Sequence, residues 1–147
     1  MKPDLSLHCP LCRPQHETVL WQDNDLRVIL AEEPDYPMFC RVIWRAHTKE
    51  MSDLNTIQQQ HIMRIVLGVE RVLRELLHPD KINLASLGNV VPHLHWHVIP
   101  RFQHDRHFPN PVWGVAVRGA NEAGTASLTT EQLRHALQAH FSATPPS

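Results

Sequence analysis

The run Val91-Pro-His-Leu-His-Trp-His-Val-Ile-Pro-Arg101 constrains the fold more than any other part of the chain. Histidine and apolar residue alternate there with a period of two, the period at which successive side chains of a β-strand point to opposite faces. A strand over Leu94–Pro100, entered from His93, lines His93, His95 and His97 along one face and Leu94, Trp96 and Val98 along the other. Same-face neighbours on one strand sit about 7 Å apart, close enough for imidazoles to act together on a metal, a phosphate or a proton. The apolar face needs a cover. From Asp53 to His78 the residues Leu54, Ile57, Ile62, Ile65, Val66, Val69, Leu73, Leu76 and Leu77 recur at three- and four-residue steps before Pro79, the pattern of a long amphipathic helix.

The remaining elements follow from shorter signals. Thr18–Gln22 and Arg27–Ala31, joined by Asp23-Asn24-Asp25, read as a β-hairpin; Phe39–Trp44 reads as a third strand and Lys81–Leu87 as a fourth, separated from the histidine strand by Gly88-Asn89. Thr129-Thr130-Glu131-Gln132 is a capping-box start for a C-terminal helix reaching Phe141. Residues 1–16 and 101–127 show no periodicity. The order strand, strand, strand, helix, strand, strand, helix gives an α+β fold, a five-stranded antiparallel sheet with the long helix on one face and the other face free for chemistry. At 147 residues, the chain reads as one domain over 1–147, with an N-terminal arm (1–16) and a C-terminal helix (129–141).

Three readings of the histidine face stand side by side: a polar, solvent-facing strand surface; a metallohydrolase whose histidines ligate zinc; and a nucleophilic site. Residues 81–101, KINLASLGNVVPHLHWHVIPR, resemble the signature of the histidine triad (HIT) superfamily, in which three histidines alternate with apolar residues after an Asn and a Gly-polar pair. The span from Cys9 to Trp113 resembles the bacterial HIT family hydrolases. The resemblance implies hydrolysis or transfer at the α-phosphorus of dinucleoside polyphosphates or nucleoside phosphoramidates, by a homodimer. It implies His95 as nucleophile, with His93 and His97 beside it, and Asn83, Gly88, Asn89 and His107 as substrate contacts. Val90 stands where the family commonly has Ser or Thr, so a hydroxyl is missing there. A nucleotide-binding sensor without turnover is the alternative outside enzymes.

Cys9-Pro-Leu-Cys12 supplies two thiolates, half of a tetrahedral zinc site, whereas the strand before and helix after that a thioredoxin-like motif needs are not evident. A zinc-bearing subset of HIT proteins resembles this chain in pairing such cysteines with a histidine after the third strand and the first triad histidine, which implies Cys9, Cys12, His47 and His93 as ligands of a structural zinc. Two reduced cysteines in a loop, with His47 unrelated, is the simpler alternative. No residue pattern asks for an organic cofactor.

Composition narrows the partners. Fourteen Lys and Arg against fifteen Asp and Glu leave a net charge of −1, which speaks against non-specific nucleic-acid binding through a basic face. No apolar stretch approaches the ~18 residues of a membrane span, and Met1–Ser6 lacks the apolar run of a signal peptide, so a cytoplasmic protein is expected.

Overall fold

The structure, a computed structural model, describes residues 5–120 and 128–143. The first residues of the arm (1–4), the end of the aperiodic stretch (121–127) and residues 144–147 lie outside them. Five strands, β1 (Thr18–Gln22), β2 (Leu26–Leu30), β3 (Cys40–Trp44), β4 (Lys81–Ala85) and β5 (His95–Arg101), form one antiparallel sheet in the order β1-β2-β3-β5-β4. The long helix α1 (Thr56–Leu77) and the shorter α2 (Thr130–Ala143) complete the α+β fold. Within the turn joining β1 and β2, the Asp23 carboxylate accepts the backbone N–H groups of Asp25 and Leu26, the local bonding that makes Asp a turn former.

Helix α1 starts later than the periodicity alone suggests. Residues Met51–Asp53 form a separate 3-10 turn, and Asn55 and Gln58 then exchange side-chain and backbone hydrogen bonds as a capping box. The helix ends on His78, left-handed at φ 48°, one residue before Pro79. Thr129 and Gln132 make the same reciprocal bonds at the start of α2.

One face of the sheet is sealed by these helices. Val28, Val42, Leu94 and Val98 meet Ile62, Ile65, Val69 and Leu73 of α1 and Leu133 and Leu137 of α2 in a single buried cluster. Gly68 lets the helices meet: a Cβ there would lie 2.4 Å from the Phe141 ring, which itself packs on Trp21. Its contact is thus helix to helix, not helix to sheet. The opposite face keeps a smaller apolar group, Ala31, Tyr36, Phe39 and Ile99, and leaves His95 and His97 on a side that neither α1 nor α2 covers.

The triad strand is shorter at its start than its alternation suggests. β3 ends at Trp44 and β4 at Ala85, opposite His97, so ladder pairing runs out before His93. Pro92 has no N–H to offer, and the His93 N–H turns back to the Val91 carbonyl. His93 therefore sits in a bend ahead of the strand.

Candidate active site

That bend separates the three histidines. His93 is fully buried, and its Nε2 lies 2.6 Å from the Trp44 carbonyl. A carbonyl oxygen only accepts, so Nε2 carries the proton and Nδ1 keeps its lone pair. Nδ1 faces Cys9 Sγ at 3.4 Å, Cys12 Sγ at 3.3 Å and His47 Nδ1 at 3.2 Å, and His47 Nδ1 lies 3.2 Å from Cys12 Sγ. Sequence-distant residues from the arm, the β3–α1 connection and the approach to β5 thus offer four ligand atoms within 4.8 Å of one another. Arg27 holds the arm in place through Glu17 and the Leu11 carbonyl.

This donor set fits a zinc ion. Tetrahedral ligands at bond lengths of about 2.0 Å (N) and 2.3 Å (S) stand about 3.3–3.8 Å from one another, close to the spacing seen, and the Trp44 carbonyl fixes the His93 tautomer as an outer partner of a metal ligand does. The third cysteine, Cys40, is buried in the core, where desolvation pushes its thiol up to about 12.

His95 and His97 are left to the open face, with ring centroids 4.9 Å apart. His95 Nδ1 lies 2.5 Å from the His93 carbonyl, so it carries the proton and Nε2 holds the free lone pair. Ser86 Oγ donates to the His95 carbonyl and braces the strand from the β4 side. Burial pushes the His95 pKa below the ordinary imidazole value; the His93 carbonyl opposes that shift and Arg41 adds to it. His97 is pushed down to about 3 by burial, then by His95 and Arg41. Both rings are neutral at pH 7. No group of three or more potential metal ligands among the described residues includes either of them, so the three histidines do not share one ion.

A cavity of about 320 Å³ opens on this pair, lined among others by Arg41, Gly88, Asn89, Val90 and Trp113. Trp113 packs edge-on to His97 with centroids 4.9 Å apart, and Phe39 flanks the same ring at 5.4 Å. Gly88 turns at φ 72°, a left-handed conformation that favours glycine, and so brings Asn89 to the rim.

Two expected substrate contacts are held elsewhere. The Asn83 side-chain oxygen accepts from Arg101 Nη1 at 2.8 Å, and Asn83 does not line the cavity. Arg101, which opens the aperiodic stretch of the sequence, is only 2% exposed; it grips Asp105 through two nitrogens and the Asn110 carbonyl through a third contact. Burial alone would raise the Asp105 carboxyl, but hydrogen bonds from Arg101 and the Phe102 and Phe108 N–H groups hold it well below the usual carboxylate range. His107 Nδ1 lies 2.7 Å from the Tyr36 hydroxyl, which also reaches Asp105, so it belongs to this cluster and not to the cavity wall. Sequence reasoning missed Arg41. Its signal was available: between Cys40 and Val42 in Phe39–Trp44 it is the single charged residue, and strand alternation aims it away from the core.

Comparison with known proteins agrees with this geometry. A family model described as HIT domain matches residues 13–104, more than half of the chain. The chain is similar to the crystal structure of a histidine triad protein from Bradyrhizobium japonicum, at 31% identity over 84% of this chain and 90% of that one, with a TM-score of 0.68. A histidine triad protein from Marinobacter aquaeolei VT8 gives 29% identity, 86% and 89% coverage and a TM-score of 0.66. A Zn-bound histidine triad family protein from Mycobacterium smegmatis shares the fold at 23% identity, 95% and 99% coverage and a TM-score of 0.67. A search of curated proteins returned no match.

Proposed function

This chain belongs to the HIT domain family, and from that premise we propose that it is a nucleotidyl hydrolase or transferase acting at the α-phosphorus of dinucleoside polyphosphates or nucleoside phosphoramidates. The observation that carries the reading is the bond from His95 Nδ1–H to the His93 carbonyl, which leaves a neutral ring with its Nε2 lone pair free in a cavity. A neutral imidazole is a competent nucleophile toward phosphorus.

In the first step His95 Nε2 forms a bond to phosphorus while the bond from phosphorus to the leaving group breaks. The leaving group departs with the electron pair and takes a proton from solvent. The nucleotidyl-imidazolium keeps its Nδ1–H on the His93 carbonyl, which stabilises the positive charge that forms. Water then attacks phosphorus, the N–P bond breaks, the electron pair returns to Nε2 and a proton is released. One water is consumed. His97 and Asn89, which line the cavity, donate to the phosphoryl oxygens, and Gly88 allows close approach of the backbone. Asn83 acts at one remove, by holding Arg101.

Cys9, Cys12, His47 and His93 would hold zinc as a structural ion, because four protein ligands leave it no open position. Held there, it would tie the N-terminal arm to the entry of β5 and so steady the His93 carbonyl that orients His95.

The test is turnover of adenosine 5′-phosphoramidate and diadenosine tetraphosphate by wild type and His95→Asn. The expected loss is on the order of 10⁴-fold or more in turnover, with AMP affinity and melting temperature unchanged. A variant that keeps its activity contradicts a nucleophilic His95; wild-type nucleotide binding with no turnover of either compound favours a sensor.

A further inference from the structure

Arg41 stands directly opposite His97 in the β3–β5 register, on the face that carries His95. Its neighbours Cys40 and Val42 are buried in the helix-side core, so strand alternation commits the guanidinium to the cavity side. The side chain is 30% exposed and lines the cavity. It is poorly matched there: Nε is buried with no hydrogen-bond partner among the described residues, and Nη2 comes only within 3.8 Å of Glu33 Oε1, beyond hydrogen-bond distance. Its other neighbour is the Phe39 ring, with Cζ 5.6 Å from the centroid. His97 Nδ1, on the opposed residue, is likewise buried and unpartnered among the described residues.

Unpartnered buried polar atoms on two opposed residues that both line one cavity are costly unless a ligand or a small shift of the side chains meets them. The other lining residues narrow what that ligand is. Val90, 93% exposed, has no side-chain donor, and Gly88 has none. Among the described lining residues Arg41 alone carries a permanent positive charge, and no carboxylate lines the cavity. A planar guanidinium with five N–H donors matches the oxygens of a phosphoryl group and remains charged at every working pH.

We propose that Arg41 anchors the reacting phosphate, donating to its non-bridging oxygens from the strand next to the histidines and giving up its loose contact with Glu33 to do so. This rests on the nucleotidyl-transfer reading and adds a specificity determinant to it: the site takes a phosphorus that bears a full negative charge, and β3 supplies a donor where Val90, in the β4–β5 connection, has none. Neutralising that charge also lowers the repulsion an anionic phosphoryl presents to the incoming nitrogen lone pair, so Arg41 serves both binding and the first displacement.

The test measures AMP affinity by calorimetry and single-turnover rates with adenosine 5′-phosphoramidate for wild type, Arg41→Ala, Arg41→Lys and Glu33→Gln, with melting temperatures beside them. Arg41→Ala is expected to weaken AMP binding and slow turnover on the order of 100-fold, the size of a lost charge-assisted contact. Arg41→Lys should recover part of both, and millimolar guanidinium should partly rescue Arg41→Ala. Glu33→Gln should bind AMP at least as tightly as wild type; if it reproduces the Arg41→Ala loss, Arg41 merely anchors the Glu33 segment and the proposal fails. AMP binding and turnover within about 2-fold of wild type in a folded Arg41→Ala overturn the anchor while leaving the hydrolase reading intact. Loss of AMP binding in Arg41→Ala, in a protein that turns over neither substrate, supports the anchor and overturns the hydrolase. No AMP binding and no turnover by wild type overturn both.

Discussion

Arg101 and Arg41 stand on the same face of the sheet, and the fold treats them oppositely. Arg101 is buried and saturated, bound to Asp105, Asn83 and the Asn110 carbonyl and covered by the Tyr36 and Phe108 rings. Arg41 is part-exposed, and its buried Nε meets nothing among the described residues. The first arrangement is what a protein needs to keep a buried charge. The second is what it needs to keep a charge available. The imidazoles divide the same way: His93 has a partner on each nitrogen, whereas His97 Nδ1 has none among the described residues. Saturation marks the groups that hold the sheet ends together, and unpartnered donors mark the cavity between them.

Substitutions should therefore cost stability at the saturated end and chemistry at the cavity, and the largest stability effect belongs to Asp105. Asp105→Ala strands a buried guanidinium, and the expected loss is about 3–5 kcal/mol, or about 10 °C in melting temperature for a domain of this size, read by thermal and urea unfolding. A loss below about 1 kcal/mol would show that the cluster is not what holds the post-triad segment, and would break the contrast with Arg41.

The Cys9, Cys12, His47 and His93 cluster, read as a zinc site, should rank next. Cys12→Ser, or removal of metal by chelation, is expected to lower stability by about 3–4 kcal/mol, the linkage expected for a ligand present at 100 to 1,000 times its dissociation constant. Native mass spectrometry should show one zinc in wild type and none in the variant. Identical spectra and melting curves would make the four ligands an ordinary packed cluster.

The smallest expected signal is the pH dependence at Asp105. Its folded pKa lies below its unfolded value of about 3.9, so its contribution is complete above that value and falls away as pH drops through it toward the folded pKa. Wild type should lose stability below about pH 4 more steeply than Asp105→Asn; parallel acid limbs would assign the slope to other carboxylates.

Much of this was legible in the sequence because it rests on periodicity. The spacing of Ile62, Ile65, Val69 and Leu73 shows α1, and the alternation through His95, Trp96, His97 and Val98 shows both the strand and its two faces. The Cys-x-x-Cys spacing pointed to two members of the four-residue cluster, and a likeness to known sequences pointed to the other two. What the pattern could not show is where alternation stops. His93 keeps the period in sequence, yet Pro92 and the ends of β3 and β4 release it from the ladder, so the expected row of three imidazoles becomes one member of the Cys9–Cys12–His47–His93 cluster and two cavity residues. Nor could it show pairings across the sheet. Asn83 faces Arg101 and Arg41 faces His97 because of inter-strand register, which depends on the whole sheet and not on any local run.

The central claim is that the free nitrogen of His95 attacks phosphorus. Intact-protein mass spectrometry after brief mixing with adenosine 5′-phosphoramidate, on wild type and His95→Asn, tests it most directly. A transient adenylyl adduct that maps to His95 in wild type and is absent from the variant is the expected result. AMP released by wild type with no adduct at any quench time, or an adduct that persists in His95→Asn, would contradict it.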